Sequence, residues 1–341
     1  MNPYALLVVI FSLILGTLTT ISSHHWMLAW LGLEVNTLAI IPLMLKCPHP
    51  RSIEAATKYF LIQASASAMI LFSCTVNAWA HGEWAIIPST NVIPTDLLTI
   101  AIMMKLGVAP FHFWMPDVLQ GLTLPTGLIL STWQKLPPVA LLLQLSQSTN
   151  LGLLLATGLL STILGGWGGI NQTQIRKVLA YSSIAHLGWM VVVLKASPQL
   201  ALLNFLIYIL ITSALFLTLT NINTKSMSEV MLSWSKNPPL TTLTLLTLLS
   251  LGGLPPLTGF LPKWMITQEL IKQHLTLFAS TMLLSTLLSL FFYLRLSYIM
   301  SLTLAPNLSY STSSWPRHIK TMAAAPVTLS LLALPIYPLI S

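Results

Sequence analysis

Charge is what this sequence lacks most. Only 6% of its 341 residues are Asp, Glu, Lys or Arg, against about a quarter in soluble domains. So little charge cannot cover a water-facing surface of this size, which excludes a soluble fold. Cysteine is nearly missing as well, with Cys47 and Cys74 the only two. Two thiols exclude a disulfide scaffold, a structural zinc site or an iron–sulfur cluster held by this chain alone. There is no glycine-rich phosphate loop, no CxxC and no CxxCH, and the histidines show no spacing that suits a haem pair. Neither nucleotide binding nor electron carriage finds support. No stretch alternates apolar and polar residues with period two, which argues against a β-barrel.

What remains is apolar: 55% of the residues are hydrophobic and the mean hydropathy is +0.81. A spanning helix needs roughly 20 apolar residues. By that rule the sequence predicts about eleven spans, near 3–22, 26–45, 55–79, 94–121, 125–145, 149–170, 175–195, 199–221, 239–272, 274–300 and 322–340. The fourth and ninth are too long for one simple crossing and contain Gly and Pro. The first has no basic flank, so it reads as a retained helix and not a signal peptide. The formal charge of +8 sits between apolar blocks, which points to membrane topology and not to nucleic acid. With loops alternating sides, one face collects Lys46, Arg51, Lys58, Arg176, Lys177, Lys225, Lys236, Arg317 and Lys320, and the other Lys195 and Lys272. That asymmetry puts the N-terminus on the positive (cytosolic or matrix) side and the C-terminus opposite. Trp26, Trp30, Trp84, Trp114 and Trp315 are expected in an interfacial belt.

Six ionisable residues lie deep inside spans: Glu34, Lys105, His112, Lys135, His186 and Lys263. A charge at mid-bilayer costs about 2.5–3.5 kcal/mol on insertion scales. They are therefore expected to face protein or water, with Glu34 meeting a lysine. A structural ion pair with snorkelling lysines is one reading, but Lys105 and Lys135 stand several residues from any helix end. A proton relay is the other. Buried lysine can exchange its proton as a carboxylate approaches or retreats, whereas arginine holds its proton throughout. Histidine titrates near neutrality without tuning, and Ser182, one turn before His186, could orient it. His112 shares a face with Lys105 only if the helix runs through Pro110.

KLGVAPFHFWMP at 105–116 and LPPLTGFLPKW at 254–264 are alike: each is an apolar stretch, interrupted by Gly and Pro, that carries a lysine. Paired interrupted helices mark the transport site in many carriers. The fold expected is all-α and polytopic. Residues 1–147 would form one five-helix repeat, 148–301 a second that is inverted relative to the first, and 302–341 a loop and C-terminal helix. Lys105 would correspond to Lys263, and Glu34 would lie on the counterpart of the span carrying His186. Gly165 and Gly169 have the spacing of close helix packing. Pro137 and Pro138 should kink span five just after Lys135. The polar segment 222–238 is expected at the surface. Of the carboxylates near span ends, Asp117 stands beside the fourth span's break.

IRKVLAYSSIAHLGWM at 175–190, KYFLIQASASAMILFS at 58–73 and MMKLGVAPFHFWMPDVLQGL at 103–122 resemble the signature segments of the antiporter-like membrane subunits of respiratory complex I and their Mrp-type cation/proton antiporter relatives. The MNP start, HHWMLAWLGLEVNTLAIIPLM at 24–44 and the short length are similar to the short mitochondrial branch, which lacks N-terminal helices found in longer members. The resemblance implies a proton-translocating core subunit in the mitochondrial inner membrane. Glu34 would be the carboxylate of a Glu–Lys pair, Lys105 its partner on the first broken helix, Lys135 and His186 central relay groups, and Lys263 the terminal lysine on the second. His112 would be a further polar group. NADH, flavin, iron–sulfur clusters and the ubiquinone site would belong to other subunits, so no redox catalysis and no cofactor or metal site is expected on this chain. Implied neighbours are the antiporter-like chain 4, the small chain 4L, accessory subunits and phospholipids including cardiolipin. A stand-alone cation/proton antiporter and a non-pumping structural subunit are the alternatives that the residues leave open.

Overall fold

The structure, a computed structural model, describes residues 3–86, 92–222, 224, 226–236, 238–302 and 324–332. Lys225, Trp315, Arg317 and Lys320, used above for topology and the aromatic belt, lie outside the described residues. Every extended element among the described residues is helical, apart from two isolated bridges, His25–Ala85 and Gln174–Ser226.

The chain divides into two compact units, residues 1–161 with 194–198, and residues 162–193 with 199–341. Unit 1 begins with α1 (Pro3–Ser22), α2 (Trp26–Met44) and α3 (Pro50–His81). It continues with α4 (Val92–Leu106), α5 (Trp114–Gly121), α6 (Leu124–Ser131), a 3-10 turn at Trp133–Lys135 and α7 (Leu136–Gln144). The boundary falls within α8 (Leu151–Ile170). Unit 2 continues with α9 (Ile175–Val193), nearly all of α10 (Pro198–Ile222), and the short α11 (Met227–Met231) and α12 (Ser233–Lys236). It ends with α13 (Pro238–Gly252), α14 (Phe260–Lys272), α15 (Thr276–Leu302) and α16 (Ala324–Leu332).

Six of these helices, α1, α2, α3, α8, α10 and α15, are long and apolar enough to cross a membrane. Their outward faces stay apolar: Leu7, Val8 and Phe11 on α1, and Leu284, Leu287 and Phe291 on α15, are exposed. A continuous apolar face is ruinous in water and is the natural state in lipid. The remaining expected spans fall short of this in length or in hydropathy. The seventh is α9, whose first turn carries Arg176 and Lys177. The fourth divides into α4 and α5, the fifth into α6 and α7, and the ninth into α13 and α14. Of the eleventh, the described part is α16. In span five the interruption is the turn at Trp133–Lys135, just before the prolines instead of after Lys135. Pro137 and Pro138 occupy the start of α7, where a missing N–H costs nothing.

The breaks in α4/α5 and α13/α14 share one hydrogen-bond pattern. In the first, the Gly107 N–H donates to the Met104 carbonyl and Val108 to Met103. In the second, Gly253 donates to Ser250 and Leu254 to Leu249. Each is a Schellman cap with a left-handed glycine, φ +74° at Gly107 and +81° at Gly253, the conformation glycine adopts without a Cβ penalty. Phe111 then donates to Val108 and Met115 to His112, as Leu257 does to Leu254 and Leu261 to Thr258. The offset is a constant 146 residues (253 against 107, 261 against 115). In this register Lys105 matches Leu251, and Lys263 matches Asp117. The expected equivalence of Lys105 with Lys263 is thus corrected: Lys105 precedes its break and Lys263 follows its own.

Two smaller expectations also change. Trp26 and Trp114 are buried inside unit 1 and do not face outward. The glycines of α8 pack closely, as expected, but on two partners: a Cβ on Gly165 would meet Ala185 of α9, and one on Gly169 would meet Phe292 of α15.

Candidate functional site: two buried lysine centres

In unit 1, Lys105 and Lys135 come together. They line one cavity of about 20 Å³ with Asn36, Thr37, Tyr59, Gln63, Trp114 and Gln134 among its walls. That is room for about one water. Lys105 sits in the last turn of α4 and is 5% exposed; Lys135, on the 3-10 turn, is 3% exposed. The Lys105 Nζ is buried and makes no hydrogen bond to any described group. The cavity walls are held by amides. The Gln63 Nε2 donates to the Lys105 carbonyl at 3.3 Å, and the Gln134 Nε2 donates to the Asn36 Oδ1 at 3.1 Å. These neutral groups offer hydrogen bonds without trapping a proton in a tight ion pair.

Glu34 lies on α2, half-buried, with the Thr37 hydroxyl 3.3 Å from its Oε2. It is close enough to Lys105 and Tyr59 to act on both electrostatically. It touches neither lysine, however, while Lys58 pairs with Glu54 and Asp117, and Lys272 with Glu269. The expected contact pair is therefore a coupling at a distance. His112 falls in the break itself, buried, its ring 4.4 Å from that of Phe113. The helix does not run through Pro110, so His112 shares no helical face with Lys105 and is not in the cavity wall.

In unit 2, His186 and Lys263 come together. They line a cavity of about 10 Å³ with Thr162, Trp189, Ser285, Ser289 and Tyr293. The Lys263 Nζ donates to the Gly252 carbonyl at 2.8 Å. That carbonyl is one that the helix break frees, so the broken backbone and the lysine satisfy each other. His186, on α9, lies half-buried with its ring 5.8 Å from that of Tyr208. The Thr162 and Ser285 hydroxyls stand 3.0 Å apart in the same wall. The Ser182 hydroxyl donates to the Leu179 carbonyl of its own helix.

Sequence reasoning missed the amides Asn36, Gln63 and Gln134 and the aromatic hydroxyls Tyr208 and Tyr293. It also missed Arg295, whose Nη1 donates to the Ile170 carbonyl at 2.8 Å and so caps the C-terminus of α8. An arginine inside an apolar run was itself a signal for that one. Among the described residues no group of three or more His, Cys, Asp or Glu side chains could hold a metal ion.

Broken helices, each with a buried amine at a small cavity, define a class: polytopic membrane proteins of carrier type. The comparisons make this specific. Residues 23–289 match the family model described as NADH:quinone oxidoreductase/Mrp antiporter, transmembrane, and residues 290–341 match NADH dehydrogenase subunit 2 C-terminus. The chain belongs to the NADH:quinone oxidoreductase/Mrp antiporter family. It is 58% identical over 340 residues, 99% of this chain and 98% of the relative, to NADH-ubiquinone oxidoreductase chain 2 of Aquarana catesbeiana. It is likewise 58% identical to that of Xenopus laevis, covering 99% of both. Among solved structures it resembles a chain of respiratory complex I from Thermus thermophilus, with TM-score 0.85 and 27% identity over 99% of this chain and 80% of that one. The fold also matches a chain of the Mrp complex from Dietzia sp. DQ12-45-1b, with TM-score 0.80 and 17% identity over 95% of this chain and 73% of the other.

Proposed function

We propose that this chain is a proton-translocating membrane subunit of an NADH–ubiquinone oxidoreductase in the mitochondrial inner membrane, with its N-terminus on the matrix side. Redox cofactors and the quinone site belong to other subunits of that complex, which are its partners. Lys105 and Lys135 are the proton carriers of unit 1, and His186 and Lys263 those of unit 2. Glu34 biases Lys105 from outside contact range. The observation that carries this reading is the small cavity shared by Lys105 and Lys135, with neutral amides and hydroxyls among its walls. A structural ion pair would instead have put a carboxylate on the Lys105 amine, whose Nζ makes no hydrogen bond to any described group.

The magnitudes agree. Moving one proton against 100 mV takes about 2.3 kcal/mol. At an effective dielectric constant near 20, bringing a carboxylate from about 8 to about 4 Å of an ammonium changes their attraction by about 2 kcal/mol. A displacement of Glu34 or Lys105 of that size, driven by redox events elsewhere, supplies most of the work of loading or unloading one site. The test is Glu34→Gln in the assembled complex, sealed in vesicles, with protons moved per NADH oxidised as the readout. The expected result is a loss of pumping with assembly retained, since Glu34 makes no ion pair to lose. Unchanged pumping would remove Glu34 from the mechanism.

A further inference from the structure

A charged cluster lies in unit 1 where the first turns of α3 meet α5. The Lys58 Nζ lies 2.7 Å from a Glu54 carboxylate oxygen and 2.9 Å from the Asp117 Oδ2. All three side chains are part-exposed, and with Arg51 and Gln120 they line an open cavity of about 120 Å³. Next to Lys58 in sequence is Tyr59, and two and three residues before Asp117 are Met115 and Trp114. Those three line the cavity of Lys105. The Lys58–Asp117 pair thus stands one to three residues along α3 and α5 from side chains that line the Lys105 cavity. Along α3, Lys58 stands five residues from Gln63, the residue bonded to the Lys105 carbonyl. That is about 7.5 Å at 1.5 Å per residue.

The register of the breaks adds an independent reason to look here. Asp117 and Lys263 are the same position, the residue after the proline in the second half of a broken helix. Unit 2 places there an amine that reaches the freed carbonyl of its own break. Unit 1 places a carboxylate that reaches across to Lys58.

We infer that Asp117 is a proton-carrying group at the mouth of the unit 1 passage, and that its bridge to Lys58 is the gate between the basic-loop face and Lys105. This rests on the relay reading given above. A hydronium ion in the outer cavity gives its proton to the Asp117 carboxylate and leaves as water. The neutral carboxyl no longer holds Lys58, which stays with Glu54. The carboxyl then passes its proton inward through water to the neutral Lys105 amine, which becomes an ammonium, and the carboxylate so restored takes Lys58 back. Lys58 is a positioning residue, because it keeps its own proton throughout.

The experiment compares Asp117→Asn, Asp117→Glu and Lys58→Gln in the assembled complex, reading protons moved per NADH oxidised. Asparagine keeps an oxygen for Lys58 but cannot carry the proton, so Asp117→Asn is expected to lose pumping per NADH and Asp117→Glu to recover it. Should Asp117→Asn not assemble, Lys58→Gln decides, because it breaks the gate and leaves the carboxylate; a loss of pumping per NADH supports the proposal. Pumping unchanged in Asp117→Asn, or in Lys58→Gln where that variant decides, overturns it. So does a pattern in which neither assembles while Asp117→Glu does, since the cluster is then only a strap. Lys105→Met is run alongside. Pumping unchanged in Lys105→Met sinks the relay reading itself, whereas pumping lost there and kept in Asp117→Asn sinks the gate alone.

Discussion

Gly259→Ala is expected to remove the chain from the assembled complex. A Cβ built on Gly259 would collide with the Ser250 carbonyl oxygen and lie 2.8 Å from its carbonyl carbon. The obstacle is backbone, and it cannot rotate away as a side chain would. Ser250 is fully buried, and its carbonyl already accepts the Gly253 N–H that forms the cap of α13. Relieving the clash means pulling α13 and α14 apart at the break that seats Lys263. Overpacking a core with flexible neighbours costs about 1–3 kcal/mol, and a clash against fixed backbone should exceed that. The first break supplies the control. Its matching residue is Phe113, whose side chain is 76% exposed, so Phe113→Ala should leave assembly intact. The amount of chain in the purified complex reads both variants. Normal assembly of Gly259→Ala would show that the close approach at this break is not required.

The asymmetry between Gly259 and Phe113 shows where sequence reading stops. That the chain is a bundle of membrane helices followed from its missing charge, and the split of spans four and nine followed from Gly and Pro inside apolar runs. Lys105, Lys135 and Lys263 stood out because an amine in hydrocarbon demands an explanation. All of this is local information. The register of the two breaks is not, because Pro, Gly and Lys recur in both at different offsets. Only the hydrogen bonds show that Asp117, not Lys105, stands where Lys263 does. The cavity walls were illegible for a related reason. Gln134 reaches Asn36 across 98 residues of chain, and an isolated amide in an apolar run looks like any tolerated polar residue. Trp26 and Trp114 misled because tryptophan suits an interface and a core equally well. Glu34 was expected to touch a lysine because an unpaired charge in lipid is costly, and a half-exposed position on α2 relaxes that demand.

Lys105→Met and Lys263→Met should both abolish pumping through their own unit, yet they should part company in stability. The Lys105 Nζ is buried without a hydrogen bond. An ammonium in that state is itself a cost, and an isosteric thioether fills the same space without it. Lys105→Met is therefore expected to leave the complex as stable as before or more so. Lys263 differs, because its Nζ holds the Gly252 carbonyl at 2.8 Å. Methionine cannot donate, and the buried carbonyl at the end of α13 would be left unpaired, at about 1–3 kcal/mol. Lys263→Met should thus lose pumping and also lower the temperature at which the chain leaves the complex. Heat release and protons moved per NADH, measured on both variants, separate the two roles. The two variants losing stability equally would mean that Lys105 too is held by a bond that pins it. A pinned amine is a poor carrier, because the bond that holds its proton in place must be broken each time the proton moves. The lysine that the fold satisfies least is therefore the one to which the relay assigns the most frequent exchange.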